Sequence, residues 1–142
     1  MRRGKPEIGD VLLTTEAPLG EVAHVDRTDV ALAQRIIKFS SSIDDLDNYY
    51  LGLWMQSGKF QFDLQSRTTG STALGIKASK IVELRCLLPP LREQREIIVH
   101  VQAAQHALDF ARDKIETSID YLSEYRSALV TSAVKGEIEG LE

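Results

Sequence analysis

The sequence predicts an α+β chain, a small mixed α/β head followed by one long C-terminal coiled-coil helix. Three observations carry this. Two β-rich runs, VLLTT and EVAHV, flank a Pro and a Gly near the start of the chain. Between Leu46 and Trp54 apolar residues recur at spacings of three and four, the period of a helix face. From Leu91 onward the apolar residues fall into heptads.

In chain order, Val11–Thr15 and Glu21–Val25 predict a β-hairpin, because Pro18 and Gly20 can turn the chain between them. Within Ala31–Phe39, Ile36, Ile37 and Phe39 favour a further strand over a helix. Leu46, Tyr49, Tyr50, Leu53 and Trp54 predict a helix over about Asp45–Ser57, with Ser42 or Asp44 placed to cap it and Gly58 near its end. A second short helix is expected over Lys59–Ser66. Arg67–Thr72, RTTGST, has no apolar residue and is expected to be a loop. Ser79–Leu84 predicts a helical turn and Leu84–Leu88 a buried strand, which Pro89 and Pro90 end because proline cannot donate to a ladder.

The two prolines also start the last element. Each fixes φ near −65°, so the exit from the head is stiff, and Glu93 and Glu96 suit the positive end of a helix dipole. Val101, Leu108, Ile115, Leu122 and Leu129 then repeat every seven residues, with Ile97, Ala104, Ala111, Ser118 and Tyr125 between them. A helix of roughly 60 Å, at about 1.5 Å per residue, cannot bury such a stripe against a head of about ninety residues. It calls for a partner helix, and Ile97, Val101, Leu108, Ile115, Leu122 and Leu129 are the candidate pairing residues. Gly136 is the expected stop, followed by a fraying or strand-like EIEGLE.

Composition narrows the function. No stretch approaches the roughly 18 apolar residues of a membrane span, and MRRGKPEIGD has no apolar segment of the kind a secretory signal carries. Cys86 is the single cysteine, so no internal disulfide forms and a cytoplasmic location is expected. Net charge is −4, yet Lys59, Arg67, Lys77, Lys80 and Arg85 face only Asp63 and Glu83 in their segment, a local +3 that suits phosphate.

Catalytic constellations do not emerge. His24, His100 and His106 include no pair at the i, i+4 spacing of a helical metal site, and neither G-x-G-x-x-G nor G-x-x-x-x-G-K-[ST] occurs. The serine at Ser71 lacks a nucleophile elbow, and Cys86, with no histidine close in sequence, is expected in the core. Asp44, Asp45 and Asp47 sit where a helix begins, which explains them better than a metal does. No metal or other cofactor is expected. RTTGST with Lys77 remains, a hydroxyl-rich basic loop of the kind that donates to phosphates and base edges.

Taken in order, GDVLLTTEAPLGEVAHV, AQRIIKF, YYLGLWMQSGKFQFDLQSRTTGST, IVELRCLLPPLREQREII and YRSALVTSAVKGEI resemble the specificity subunits of type I restriction-modification systems. The resemblance is to the second part of a target recognition domain and the helical conserved region after it. It spans nearly the whole chain, and its most specific pieces are Leu88-Pro89-Pro90-Leu91 with Glu93, Gln94 and Ile97, and Tyr125-Arg126 to Gly136. The resemblance implies a non-catalytic subunit. Residues 1–90 would be a partial recognition domain reading part of a bipartite sequence in double-stranded DNA, and 91–142 a spacer helix. That helix would pair with a second copy or with another specificity half and dock DNA methyltransferase subunits, while a separate restriction subunit translocates and cleaves. The family's residues before the hairpin have no counterpart here, so a truncated product, an excised fragment or half of a split subunit is expected.

Arg67, Thr68, Thr69, Ser71, Thr72 and Lys77 are the candidate DNA contacts, with Thr14, Thr15 and Glu16 on the hairpin as further ones. The alternative is a structural oligomerisation module, a remnant without independent DNA recognition; DNA or methyltransferase binding separates the two. An enzyme that itself methylates DNA is disfavoured, because Leu88 and Leu91 flank the prolines where amino-methyltransferases place a polar residue and an aromatic one.

Overall fold

The computed structural model describes residues 5–69 and 75–137. Its elements are strands β1 (Val11–Thr15), β2 (Leu19–His24) and β3 (Ile36–Phe39), then helices α1 (Asn48–Gln56), α2 (Gly58–Ser66), α3 (Ala78–Ile81) and α4 (Leu91–Lys135). The α+β class is as expected. The chain divides into two compact units, Met1–Val99 and His100–Glu142, so the first turns of α4 belong with the head.

In the first unit the three strands form an antiparallel sheet in the order β2-β1-β3. Alternation along β1 explains its central place, since Val11 and Leu13 are fully buried and pack with Leu51, Met55, Phe60, Leu64, Ile76 and Ile81. β1 is the strand the sequence predicts, whereas β2 begins two residues earlier than expected. Leu19 pairs with Thr15 across a register shift, which extends the ladder ahead of Glu21; Gly20 within it takes a φ of +91°, which suits glycine, and a Cβ there would lie 2.4 Å from Gln61 Oε1. Gln61 Nε2 donates to the carbonyls of Gly20 and Met55, each at 2.8 Å, tying the hairpin to α2.

At the base of β1 the Asp10 carboxylate is buried and accepts from Lys38 Nζ on β3 at 2.7 Å and from the Glu7 N–H at 2.8 Å. Burial alone would raise its pKa, but the Lys38, Glu7 and Ser40 hydrogen bonds outweigh burial and hold it below the ordinary 3.8. A carboxyl depressed in the folded state contributes stability above its unfolded pKa and loses it as pH falls through the folded one. Wild-type stability is therefore expected to drop as pH falls below about 4. Asp10→Asn should lower stability at neutral pH and flatten that acid limb, which unfolding followed across pH 2–7 checks.

Three local expectations are corrected. The cap of α1 is neither Ser42 nor Asp44 but Asp47, whose Oδ1 accepts from the Tyr49 N–H at 2.8 Å. Leu84–Leu88 is not a buried strand: it pairs with no strand among the described residues, and Leu87 and Leu88 are exposed. Its carbonyls are instead met by side chains, Trp54 Nε1 donating to Arg85 O at 3.1 Å and the Tyr50 hydroxyl to Leu87 O at 3.0 Å. Leu84 still packs against the core, but beyond it the segment leaves the core and Cys86 is exposed as well.

Gln94 holds the first turn of α4 in place. Its side chain is fully buried, accepts from the Asp47 N–H at 2.9 Å, and donates to Asp45 O and Pro89 O at 2.7 Å each. One amide thus joins the cap of α1, the Pro-Pro junction and α4, with both donors and its acceptor used.

α4 continues without interruption for 45 residues, about 68 Å at 1.5 Å per residue. It ends as predicted at Gly136, whose φ is +73°, with the Glu137 N–H reaching back to Ser132 O at 2.9 Å. Ile97 and Val101 are half-buried, and from there the heptad residues stand in solvent, Leu108 70%, Ile115 60%, Leu122 67% and Leu129 43% exposed. Most of the EIEGLE tail lies outside the described residues.

Candidate nucleic-acid interface

The hairpin and the loop after α2 meet. Thr69 and Gly75 pair through two backbone hydrogen bonds of 3.0 and 3.4 Å, and Gly75 also bridges to Glu16 just past β1. The Ile76 N–H donates to Thr15 O at 3.1 Å, so this stretch is held against the sheet. Thr15, Glu16, Arg35, Thr69, Gly75, Ile76 and Lys77 line the resulting recess, of about 360 Å³.

Of the residues singled out by sequence, the structure brings Thr15, Glu16, Thr69 and Lys77 together in this recess. Arg67 and Thr68 precede it at the end of α2, and Thr14 is engaged at the hairpin turn. Ser71 and Thr72 lie outside the described residues. Several hydroxyls already donate inward: Thr14 to Pro18 O, Thr15 to Arg35 O at 3.0 Å and Thr68 to Gln65 O at 2.8 Å. Each keeps lone pairs to accept with, but its single proton is committed.

Charge is similarly arranged. Glu83 takes both Lys80 at 2.8 Å and Arg67 at 3.4 Å, and the Lys80 hydrogen bond above all holds its carboxyl below the ordinary range. Arg67 Nε is buried and, among the described residues, has no hydrogen-bond partner. Lys59 pairs with Asp63 at 3.3 Å. Of the five cations in the locally basic segment, Lys77 and Arg85 are therefore exposed and have no ion pair among the described residues. Lys77 is the one on the recess.

Arg35 is the site residue that sequence reading missed. It precedes β3, and the pairing of Thr14 with Ile36 carries it to the recess, where it forms an ion pair with Glu16. Its only sequence signal was its place beside the IIKF run, whose partner strand the pattern alone does not name. Among the described residues, no three His, Cys, Asp or Glu side chains converge to hold a metal ion, and no helix is long and apolar enough to cross a membrane.

Fold and site together define a class: an α+β head carrying a polar recess of mixed charge, on a chain whose last helix presents an exposed aliphatic seam. The family model described as type I restriction modification DNA specificity domain matches residues 5–117. The chain belongs to that family. A search of curated proteins finds no match.

Proposed function

We propose that this chain is a DNA-reading part of a type I restriction-modification assembly, itself non-catalytic, with residues 1–90 contacting one part of a bipartite duplex sequence and 91–142 acting as spacer and dock. The observation that carries the proposal is the recess, where the hairpin end and the paired Thr69 and Gly75 set Thr15, Thr69, Lys77, Glu16 and Arg35 on one surface of a chain in the specificity-domain family. Thr69 and Lys77 contact the backbone, with Arg67, Thr68, Ser71, Thr72, Thr14 and Thr15 as further contacts. Phosphate contacts of this type position a protein on the duplex, while base edges supply sequence discrimination.

On the helix, Ile97, Val101, Leu108, Ile115, Leu122 and Leu129 pair with a counterpart helix from a second copy or another specificity half. The small residues Ala104, Ala111 and Ser118 on the same seam let an antiparallel partner approach closely. Methyltransferase subunits dock on the paired helices, and the restriction subunit joins that assembly in the cell's cytoplasm.

Lys77→Ala tests the interface. In the chain assembled with methyltransferase subunits, binding should weaken to about the same extent for all duplex sequences, and the slope of log K against log salt should fall by about one. An unchanged slope would remove Lys77 from the interface.

A second reading, an oligomerisation module without DNA recognition, is favoured by the committed protons of Thr14, Thr15 and Thr68 and by the Glu83 pairing of Arg67. It shares the helix pairing and differs in leaving duplex DNA unbound.

A further inference from the structure

We infer that Glu16 and Arg35 act as a coupled pair that reads one G·C base pair from the major groove; this rests on the DNA-reading proposal above and names what the recess recognises. The backbone of both residues is held in place. The Arg35 carbonyl accepts from the Thr15 N–H at 2.8 Å and from the Thr15 hydroxyl at 3.0 Å, which fixes the backbone from which the guanidinium extends. Glu16 is bridged to Gly75 on its other side. The two side chains form an ion pair while Arg35 stays 62% and Glu16 28% exposed.

Stability does not explain this arrangement, because an exposed ion pair contributes only about 0–1 kcal/mol. Recognition does. In the major groove guanine offers two acceptors, O6 and N7, and its cytosine partner offers the N4 amine as a donor beside them. A guanidinium supplies two parallel N–H groups to the first, and a carboxylate accepts from the second. Arg35 and Glu16, paired on the recess, carry the two halves of that complement. An A·T pair puts the adenine N6 donor where the guanidinium needs an acceptor and a methyl group and O4 where the carboxylate needs a donor.

The pairing also suits the charge balance. Glu16 and Arg35 neutralise each other, so they add discrimination with little general attraction for phosphate. Lys77, on the same recess, supplies the charge that the pair does not.

The experiment is selection of bound duplexes from a randomised library by the chain assembled with methyltransferase subunits, at two salt concentrations. Wild type is expected to enrich a site containing an invariant G·C pair. Arg35→Lys keeps the charge but loses the fork, and Glu16→Gln keeps the shape but loses the charge. Each is expected to reduce preference at that one position by about tenfold or more, leaving the other positions and, for Arg35→Lys, the salt slope unchanged. Thermal unfolding checks that both variants fold. The inference is overturned if both retain the wild-type preference at every position, or if Arg35→Ala weakens all sequences equally and lowers the salt slope by about one, as loss of a phosphate contact would. If wild type itself enriches no sequence, the DNA-reading proposal falls and this inference with it; unchanged variants on an enriching wild type remove this inference alone.

Discussion

Leu122→Glu is expected to convert a self-associated chain into monomers, and Leu108→Glu to do the same. Both leucines stand in solvent, 67% and 70% exposed, on a helix whose heptad stripe is left unpacked among the described residues of its unit. Burying one leucine contributes about 1.5–3 kcal/mol, and a pairing between two copies loses it twice, about 3–6 kcal/mol in all. At about 1.4 kcal/mol per factor of ten, association should weaken by about two to four orders of magnitude. A glutamate placed in the seam adds the cost of desolvating its charge. Glutamate is also a good helix former, so helix content should survive in circular dichroism and the effect can be assigned to pairing. Light scattering across concentration reads the outcome. A wild-type monomer at high concentration would show that the seam does not pair two copies of this chain and leave pairing with another specificity half as the remaining form of that proposal.

Gln94→Ala carries the largest expected effect on the head. The substitution leaves the Asp47 N–H and the carbonyls of Asp45 and Pro89 without the side chain that now meets all three. An unsatisfied buried polar group costs about 1–3 kcal/mol, and water entering the vacated space recovers part of this, so a loss of about 3 kcal/mol is expected. For a unit of this size that corresponds to a fall of at least about 12 °C in Tm. Gln94→Glu should be about as damaging at neutral pH, because a carboxylate oxygen then faces the Asp45 and Pro89 carbonyls in place of an amide donor. Trp54, the chain's single tryptophan, donates to Arg85 O within the same unit and reports its unfolding by fluorescence. Unfolding of Gln94→Ala at the wild-type temperature would mean that the buried amide does not anchor α4.

Local pattern made much of this fold legible. VLLTT is a β-rich run and gave β1 its limits; the heptads and the Pro-Pro junction marked α4 from Leu91, and Gly136 marked its end. What failed depended on partners distant in sequence. Leu84–Leu88 has strand composition, but Tyr50 and Trp54 occupy its carbonyls, and no ladder forms. Asp47 rather than Asp44 caps α1 in a region where Gln94, far along the chain, holds the Asp45 and Asp47 backbone. Gln94 stood out only as part of the motif that carries the family resemblance, since burial of a glutamine follows from three groups that only the fold assembles.

The recess was legible in part. Thr15, Glu16, Thr69 and Lys77 stood out by residue type, and a hydroxyl-rich loop next to a lysine is a local signal. Arg35 was not visible in the same way, because its position depends on the register of β3 against β1. Nor did composition reveal that Arg67 and Lys80 share Glu83, which places the exposed positive charge of the segment on Lys77 and Arg85 instead.

The central claim is that the chain reads DNA as part of a larger assembly. Its most direct measurement is equilibrium binding of the chain, assembled with methyltransferase subunits, to the duplex site that such an assembly methylates and to random duplex, over a range of salt. The account predicts binding to the cognate duplex at least about a thousandfold tighter than to random duplex, with affinity falling linearly on a log–log plot as salt rises. Equal affinity for the two duplexes, independent of salt, would contradict it.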